Sequence, residues 1–410
     1  MRIKNYISEI VRAANSIVCR LMMVCVFISS LTGCEREPIL HLHDGADIDV
    51  KLPMVDLTLE VVWNYLFNYD IEYDWEKEWI YGWDDTDNAM FGALGYREPE
   101  ALEIRRYYLN DNPSAPHKAP YKNYIMGKTL STKFDFGYWD LLVWNDIKTS
   151  DGIQSIRIDE NESYEYVMAY TGETMTPSRY NAPRFTRAFY QPEYLFAGYE
   201  KGIEIRQDLG GFVFDEQLNS WVYHLKMQLQ PVTYIYLVQV ILHNNNKGGR
   251  KVVAIDGSAD LSGMARSVKL NDGITGADAI TVNYNMRMKN DITTNDGEKV
   301  DVIGGKVVTF GIPNINPYKL STRAYSESLA KVNEIDKGNH HYVDVTMQFK
   351  NGKDSTFVFD VTDQVRRLYR GGVITINLDM DKVPIPQQTG GSAFDAVVKE
   401  FEQKEWEFDM

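Results

Sequence analysis

The chain reads as a succession of short alternating runs. Val55 to Trp63 alternates apolar and polar residues, the period-two signature of a half-buried strand. Leu102 to Leu109, Ser155 to Asp159 and Trp221 to Gln230 repeat that pattern. Lys133 to Asn145 turns at Gly137 and continues as a buried strand. Thr233 to Leu242 is almost continuously apolar, as expected of a strand covered on both faces. Pro231 cannot donate to a ladder, and the domain boundary is placed there. Ile71, Trp75 and Trp79 fall four apart, the spacing of a short helix. Asn110 to Lys122 is rich in Pro and Asn and reads as a loop.

After the boundary the same rhythm returns. Strands are expected over Lys251–Ile255, Ala279–Asn285, Gly305–Phe310, His341–Phe349, Thr356–Val361 and Val373–Leu378. Asn244 to Arg250 and Asn351-Gly352 supply hairpin turns. Thr362 to Leu368 predicts a short helix closed by Gly371-Gly372. Phe394, Val397, Val398 and Phe401 sit at helical spacing in an acidic tail. Many short strands with regular turns and little helix mean an all-β chain built as β-sandwiches.

One stretch breaks the rhythm. Leu21 to Cys34 is an apolar run of about a dozen residues, short of the ~20 that span a bilayer. Arg2, Lys4, Arg12 and Arg20 precede it, and it ends in Leu31-Thr32-Gly33-Cys34. Basic flank, apolar run and small residues before a cysteine read as a lipoprotein signal peptide, cleaved before an acylated Cys34. Lipid on Cys34 would tether the chain to a membrane without spanning it, since two acyl chains suffice for stable anchoring. The expected organisation is signal peptide 1–33, tether 34–50, N-terminal sandwich 51–230, C-terminal sandwich 231–390 and acidic tail 391–410.

Composition narrows the function. The net charge of −15 repels nucleic acid, which needs a basic face. It also repels anionic head groups, so membrane contact is expected through lipid alone. The three cysteines are Cys19, Cys25 and Cys34. Two leave with the signal and one carries lipid, so the exported body is expected to hold no disulfide.

Candidate chemistry is sparse. Asp84-Asp85-Thr86-Asp87-Asn88 offers oxygens for a hard cation, but without the spacing of a calcium loop, and reads as a solvated loop. The histidines are scattered, and His340 and His341 would point to opposite faces of a strand. No zinc, P-loop, dinucleotide or serine-nucleophile motif occurs, so no metal, no cofactor and no catalysis are expected. The stretch Trp63 to Trp83 is the best candidate ligand surface, with Trp75, Trp79 and Trp83 as possible glycan contacts. Its alternative is an aromatic plug, since such side chains bury about 150–250 Å² each.

Several segments carry a family likeness. Phe136 to Asn145, with its glycine, aromatics, aspartate and apolar strand, resembles the first domain of fimbrium-anchor and fimbrillin-like lipoproteins of Bacteroidetes. Leu261 to Leu270, Gly305 to Gly311 and Phe359 to Val365 resemble later segments of the same superfamily. The resemblance implies two transthyretin-like β-sandwiches on a lipid anchor, and an anchor or accessory subunit of a cell-surface fimbrium. It implies pilin subunits as partners, met by strand addition. The aromatic insert Tyr65 to Asp87 and the Pro-rich loop Asn112 to Pro120 depart from it.

Overall fold

The computed structural model describes residues 54–61, 75–147, 155–161, 163–174, 188–317, 319–320 and 325–387. The signal peptide, Cys34, the tether and the acidic tail lie outside the described residues. The described residues all fall in one compact unit.

Nineteen strands are described: β1 (Met54–Val61), β2 (Ala101–Tyr108), β3 (Tyr121–Met126), β4 (Thr129–Lys133), β5 (Gly137–Asn145), β6 (Ile156–Asp159), β7 (Met168–Thr171), β8 (Phe189–Tyr190), β9 (Phe196–Ile205), β10 (Val213–Asp215), β11 (Ser220–Pro231), β12 (Tyr234–His243), β13 (Val252–Ala265), β14 (Ser267–Lys269), β15 (Ala279–Thr293), β16 (Lys299–Thr309), β17 (Tyr342–Phe349), β18 (Asp354–Asp360) and β19 (Gly372–Asp379). Helices are short: Trp75–Glu78, Asp85–Phe91, Tyr325–Ile335 and Thr362–Arg367. The chain is all-β, as its period-two pattern predicts.

The first sheet runs β3-β2-β5-β9-β11-β1-β4, with β10 also on β11. It folds over on itself where β9 meets β11. Only Gln230 and Pro231 pair there, with Ala197 and Phe196, and the two strands then diverge. Leu102, Ile104, Trp139, Leu141 and Val143 from one layer meet Leu130, Met227 and Leu229 from the other in a buried core. These are the inward positions of alternating strands, so the pattern visible in the sequence is the packing pattern.

The second sheet runs β18-β17-β13-β15-β16-β12-β19. Its corner is β15. Ser258–Ala265 of β13 takes the first half of β15, and β16 takes Met286 to Thr293. Tyr236, Val238, Val240, Ile374, Val343, Val345 and Phe349 fill the core between the layers. The other face of β12 is buried too, through Ile235, Leu237 and Ile241. That explains why Thr233–Leu242 lacks alternation.

The sandwiches share buried surface. A third sheet, β14-β7-β6, pairs Ser267–Lys269 with Met168–Tyr170. Tyr107, Leu142, Trp144 and Tyr164 pack there with Ala265, Val268, Leu270 and Phe310.

Candidate functional site

The outward face of the first sheet carries the chemistry. On β2 and β5 the positions that do not enter the sandwich core are Glu103, Arg105, Tyr107, Asp140, Leu142 and Trp144. The segment carrying β6 and β7 crosses this face. Between the two lies an open groove of about 460 Å³. Its lining is Glu103, Arg105, Trp144, Asp146, Ile147 and the β6 residues Ile156–Ile158, with Glu160 at the end.

Arg105 is the hub. Its side chain is only 6% exposed, with the guanidinium 4.6 Å from the Trp144 ring centroid. It donates to Glu160 through Nε (2.7 Å) and Nη2 (2.8 Å), and to Glu103 through Nη1 (2.8 Å). Hydrogen bonds from Arg105 bring the Glu160 carboxyl down to about 2. Lys122 on β3 adds a second ion pair to Glu160 at 2.8 Å. The Tyr124 hydroxyl donates to Asp146 at 2.9 Å. A guanidinium held in its fork by two carboxylates and one aromatic face has little rotamer freedom left.

At the other end of the same face His117 bridges Ser163 Oγ (3.0 Å) and Asp140 Oδ2 (2.8 Å). Asp140 is 1% exposed and also accepts from the Gly202 amide. Tyr107 and Tyr164 flank the imidazole, and burial pushes the Tyr164 hydroxyl up to about 12. This cluster pins the Pro-rich loop to the sheet.

The aromatic insert lies elsewhere. Trp79 and Tyr81 lie on the outer face of β12, β16 and β19, against Ile235, Leu237, Val302, Val308 and Val373. Trp79 is 6% exposed, and its indole N–H donates to the Gly82 carbonyl. The expectation that Trp79 contacts a glycan is therefore corrected: its ring faces are used up in packing. Trp83 is half-buried, with its ring near Phe91 and Lys306. Trp75 begins the helix Trp75–Glu78, and its side chain lies outside the described residues. Among the described residues of this insert, Trp79 and Trp83 do not form an exposed tryptophan platform.

The acidic run is also not a solvated loop. Asp84 caps the helix Asp85–Phe91 in a reciprocal capping box with Asp87. Asp87 is fully buried and accepts from the Tyr81 hydroxyl (2.8 Å), Arg287 (3.0 Å) and Lys289 (2.6 Å). The Asp87 amide and the two cations hold the Asp84 carboxyl well below the usual carboxylate range. Among the described residues no group of three or more acidic, histidine or cysteine side chains is placed to hold a metal.

Two exposed apolar features escaped the sequence reading. The edge strand β3 shows Tyr121, Tyr124 and Met126, the last 67% exposed. The β10–β11 hairpin pairs Phe214 with Trp221 across the ladder, edge to face, 44% and 42% exposed. The Asp215-to-Asn219 turn between them was the available signal, since a tight hairpin tip extends beyond any covering layer.

No family model matches the chain, and no curated protein matches it. Solved structures follow a similar course. A candidate adhesin from Bacteroides ovatus is 16% identical, covering 82% of this chain and 95% of that one, with a TM-score of 0.43. Another from Bacteroides thetaiotaomicron is 9% identical, covering 80% and 93%, with a TM-score of 0.40. The fimbrial anchor protein Mfa2 of Porphyromonas gingivalis is 11% identical, covering 79% and 90%, with a TM-score of 0.38.

Proposed function

We propose that this chain is a non-catalytic surface lipoprotein, tethered to the outer membrane through lipid on Cys34, that serves as an anchor or accessory subunit of a fimbrium. One observation carries the reading. Strand β3 ends the first sheet, pairs only with β2 among the described strands, and keeps two tyrosines and a methionine in solvent. Folded proteins usually blunt such an edge, because it is a template for another strand. A partner segment added there gains a ladder of backbone hydrogen bonds, and the exposed side chains give it specificity. The sequence supports the same reading through the lipobox and the fimbrillin-like segments.

The test is isolation of the full-length protein from outer membranes. Fimbrial subunits are expected to co-purify, and Asn123→Pro, which breaks the strand edge, is expected to lose them. Protease shaving of intact cells, with Cys34→Ser as control, checks the surface anchor. A protein that survives shaving, or that co-purifies with no subunit, rules the reading out.

A further inference from the structure

We propose that the groove between β2, β5 and β6 binds a neutral oligosaccharide of two or three rings. Charge sets the ligand class. Every ionic group traced at the groove has a counter-charge or a donor of its own. Arg105 joins Glu103 and Glu160, Glu160 also takes Lys122, Asp146 accepts from Tyr124, and Arg157 lies 3.9 Å from Asp159. A charged ligand would find no uncompensated partner here, and would lose its hydration without replacement. A neutral polyhydroxylated ligand meets the opposite situation. A carboxylate offers about four acceptor sites and a guanidinium five donors, so one ion pair does not saturate either. Glu103, Glu160 and Arg157 thus retain directional capacity for hydroxyl groups.

Shape and rigidity point the same way. A volume of about 460 Å³ falls in the range of small-ligand sites, ~300–1,000 Å³. Most of the accessible lining is polar, from Glu103, Arg105, Asp146, Arg157 and Glu160, while Trp144 and Ile156 are buried and Ile147 and Ile158 add a little apolar surface; it suits the hydroxyl-rich edge of a sugar ring. Arg105 is already locked in place by two acids and the indole, so little ordering cost remains at binding. The groove shares Lys122 and Tyr124 with the β3 edge, so the two proposals are told apart by their readouts, sugar retention for the groove and subunit co-purification for the edge.

The experiment is binding of the purified full chain to an immobilised set of neutral di- and trisaccharides, with uronate oligomers as charged counterparts. Retention of at least one neutral member at millimolar strength is expected. Asp146→Ala and Arg157→Ala should each weaken it about tenfold. The Arg157 side chain is 76% exposed, so that variant will fold. Trp221→Ala, outside the groove, should leave binding unchanged. Raising salt from about 50 to about 500 mM should change affinity less than twofold, because no net charge is neutralised. Retention of uronates alone, a steep salt dependence, insensitivity to both groove variants, or no retention of any member would each overturn the proposal.

Discussion

The outer faces of the two sandwiches meet the same problem in opposite ways. Each is crossed by a segment from elsewhere in the chain, and each has a buried ion-pair hub beneath it. On the second sandwich the hub is a carboxylate, Asp87, wholly buried under Tyr81 and clasped by Arg287 and Lys289. The strap above it lies flat, with the Tyr81 ring against Gly304, so no space remains. On the first sandwich the hub is a cation, Arg105, and its partners Glu103 and Glu160 keep 28% and 29% of their side-chain surface in water. The crossing segment stands off, and a groove stays open. Aromatic richness in the sequence marks the sealed face; alternating charge marks the open one.

The comparison predicts unequal costs for removing the hubs. Asp87→Ala leaves two cations and a phenol without their buried acceptor, and should destabilise the protein by about 3–5 kcal/mol. Arg105→Met leaves acids that water reaches, and should cost about 1 kcal/mol. Urea unfolding followed by circular dichroism measures both. Equal losses would mean that the two faces are sealed alike. Gly304→Ala sharpens the point, because a Cβ there would land inside the contact distance of the Tyr81 ring carbons. Either ring or strand must shift, at about 1–3 kcal/mol by the same assay. A neutral result would show that the strap rides loosely on the sheet.

A third test uses pH. Lys306 is 5% exposed beneath the end of the strap, donating to the Ala93 carbonyl and the Tyr194 hydroxyl. Burial pushes its ammonium down to about 8. A lysine whose folded value lies below its unfolded one binds a proton more readily when unfolded. It costs stability below about pH 8, and that cost fades as pH rises toward the ordinary lysine value. Stability should therefore climb by about 1–2 kcal/mol from pH 8 to pH 10. Above that range buried tyrosines such as Tyr81 and Tyr284, whose values are raised by burial, begin to oppose the gain. Lys306→Met should flatten the slope, and an unchanged slope would place its origin in other groups.

Much of the fold is legible in the sequence because strand periodicity is a local signal. Leu102 to Leu109 and Trp221 to Gln230 alternate, and their inward residues are the core. Thr233 to Leu242 does not alternate because both faces are covered. Other features depend on partners far along the chain. Lys251 to Ile255 reads as a short strand, yet β13 runs to Ala265, since bulges at Ile255/Ala259 and Ser262/Met264 break the alternation. The helix Tyr325–Ile335 buries only Ser328 and Val332, too little for an apolar stripe. The acids at Asp84 and Asp87 look solvated until Arg287 and Lys289, about two hundred residues on, are brought to them. The groove was illegible for the same reason: Arg105 and Glu160 stand 55 residues apart.

The smallest expected effect separates two tryptophans that the sequence cannot rank. Trp79 and Trp221 both stand among apolar and acidic neighbours. Trp79 closes a core, and Trp79→Ala should cost about 3–5 kcal/mol. Trp221 caps an exposed hairpin against Phe214, and Trp221→Ser should shift stability by no more than about 0.5 kcal/mol. Acrylamide quenching gives an independent readout. Trp221 is 42% exposed, so its removal should take away part of the quenchable emission, while the blue-shifted, protected emission of buried indoles such as Trp79, Trp139 and Trp144 remains. If Trp221→Ser instead destabilises the fold by several kcal/mol, the hairpin is part of the packed structure, and its aromatic pair is not available to any partner.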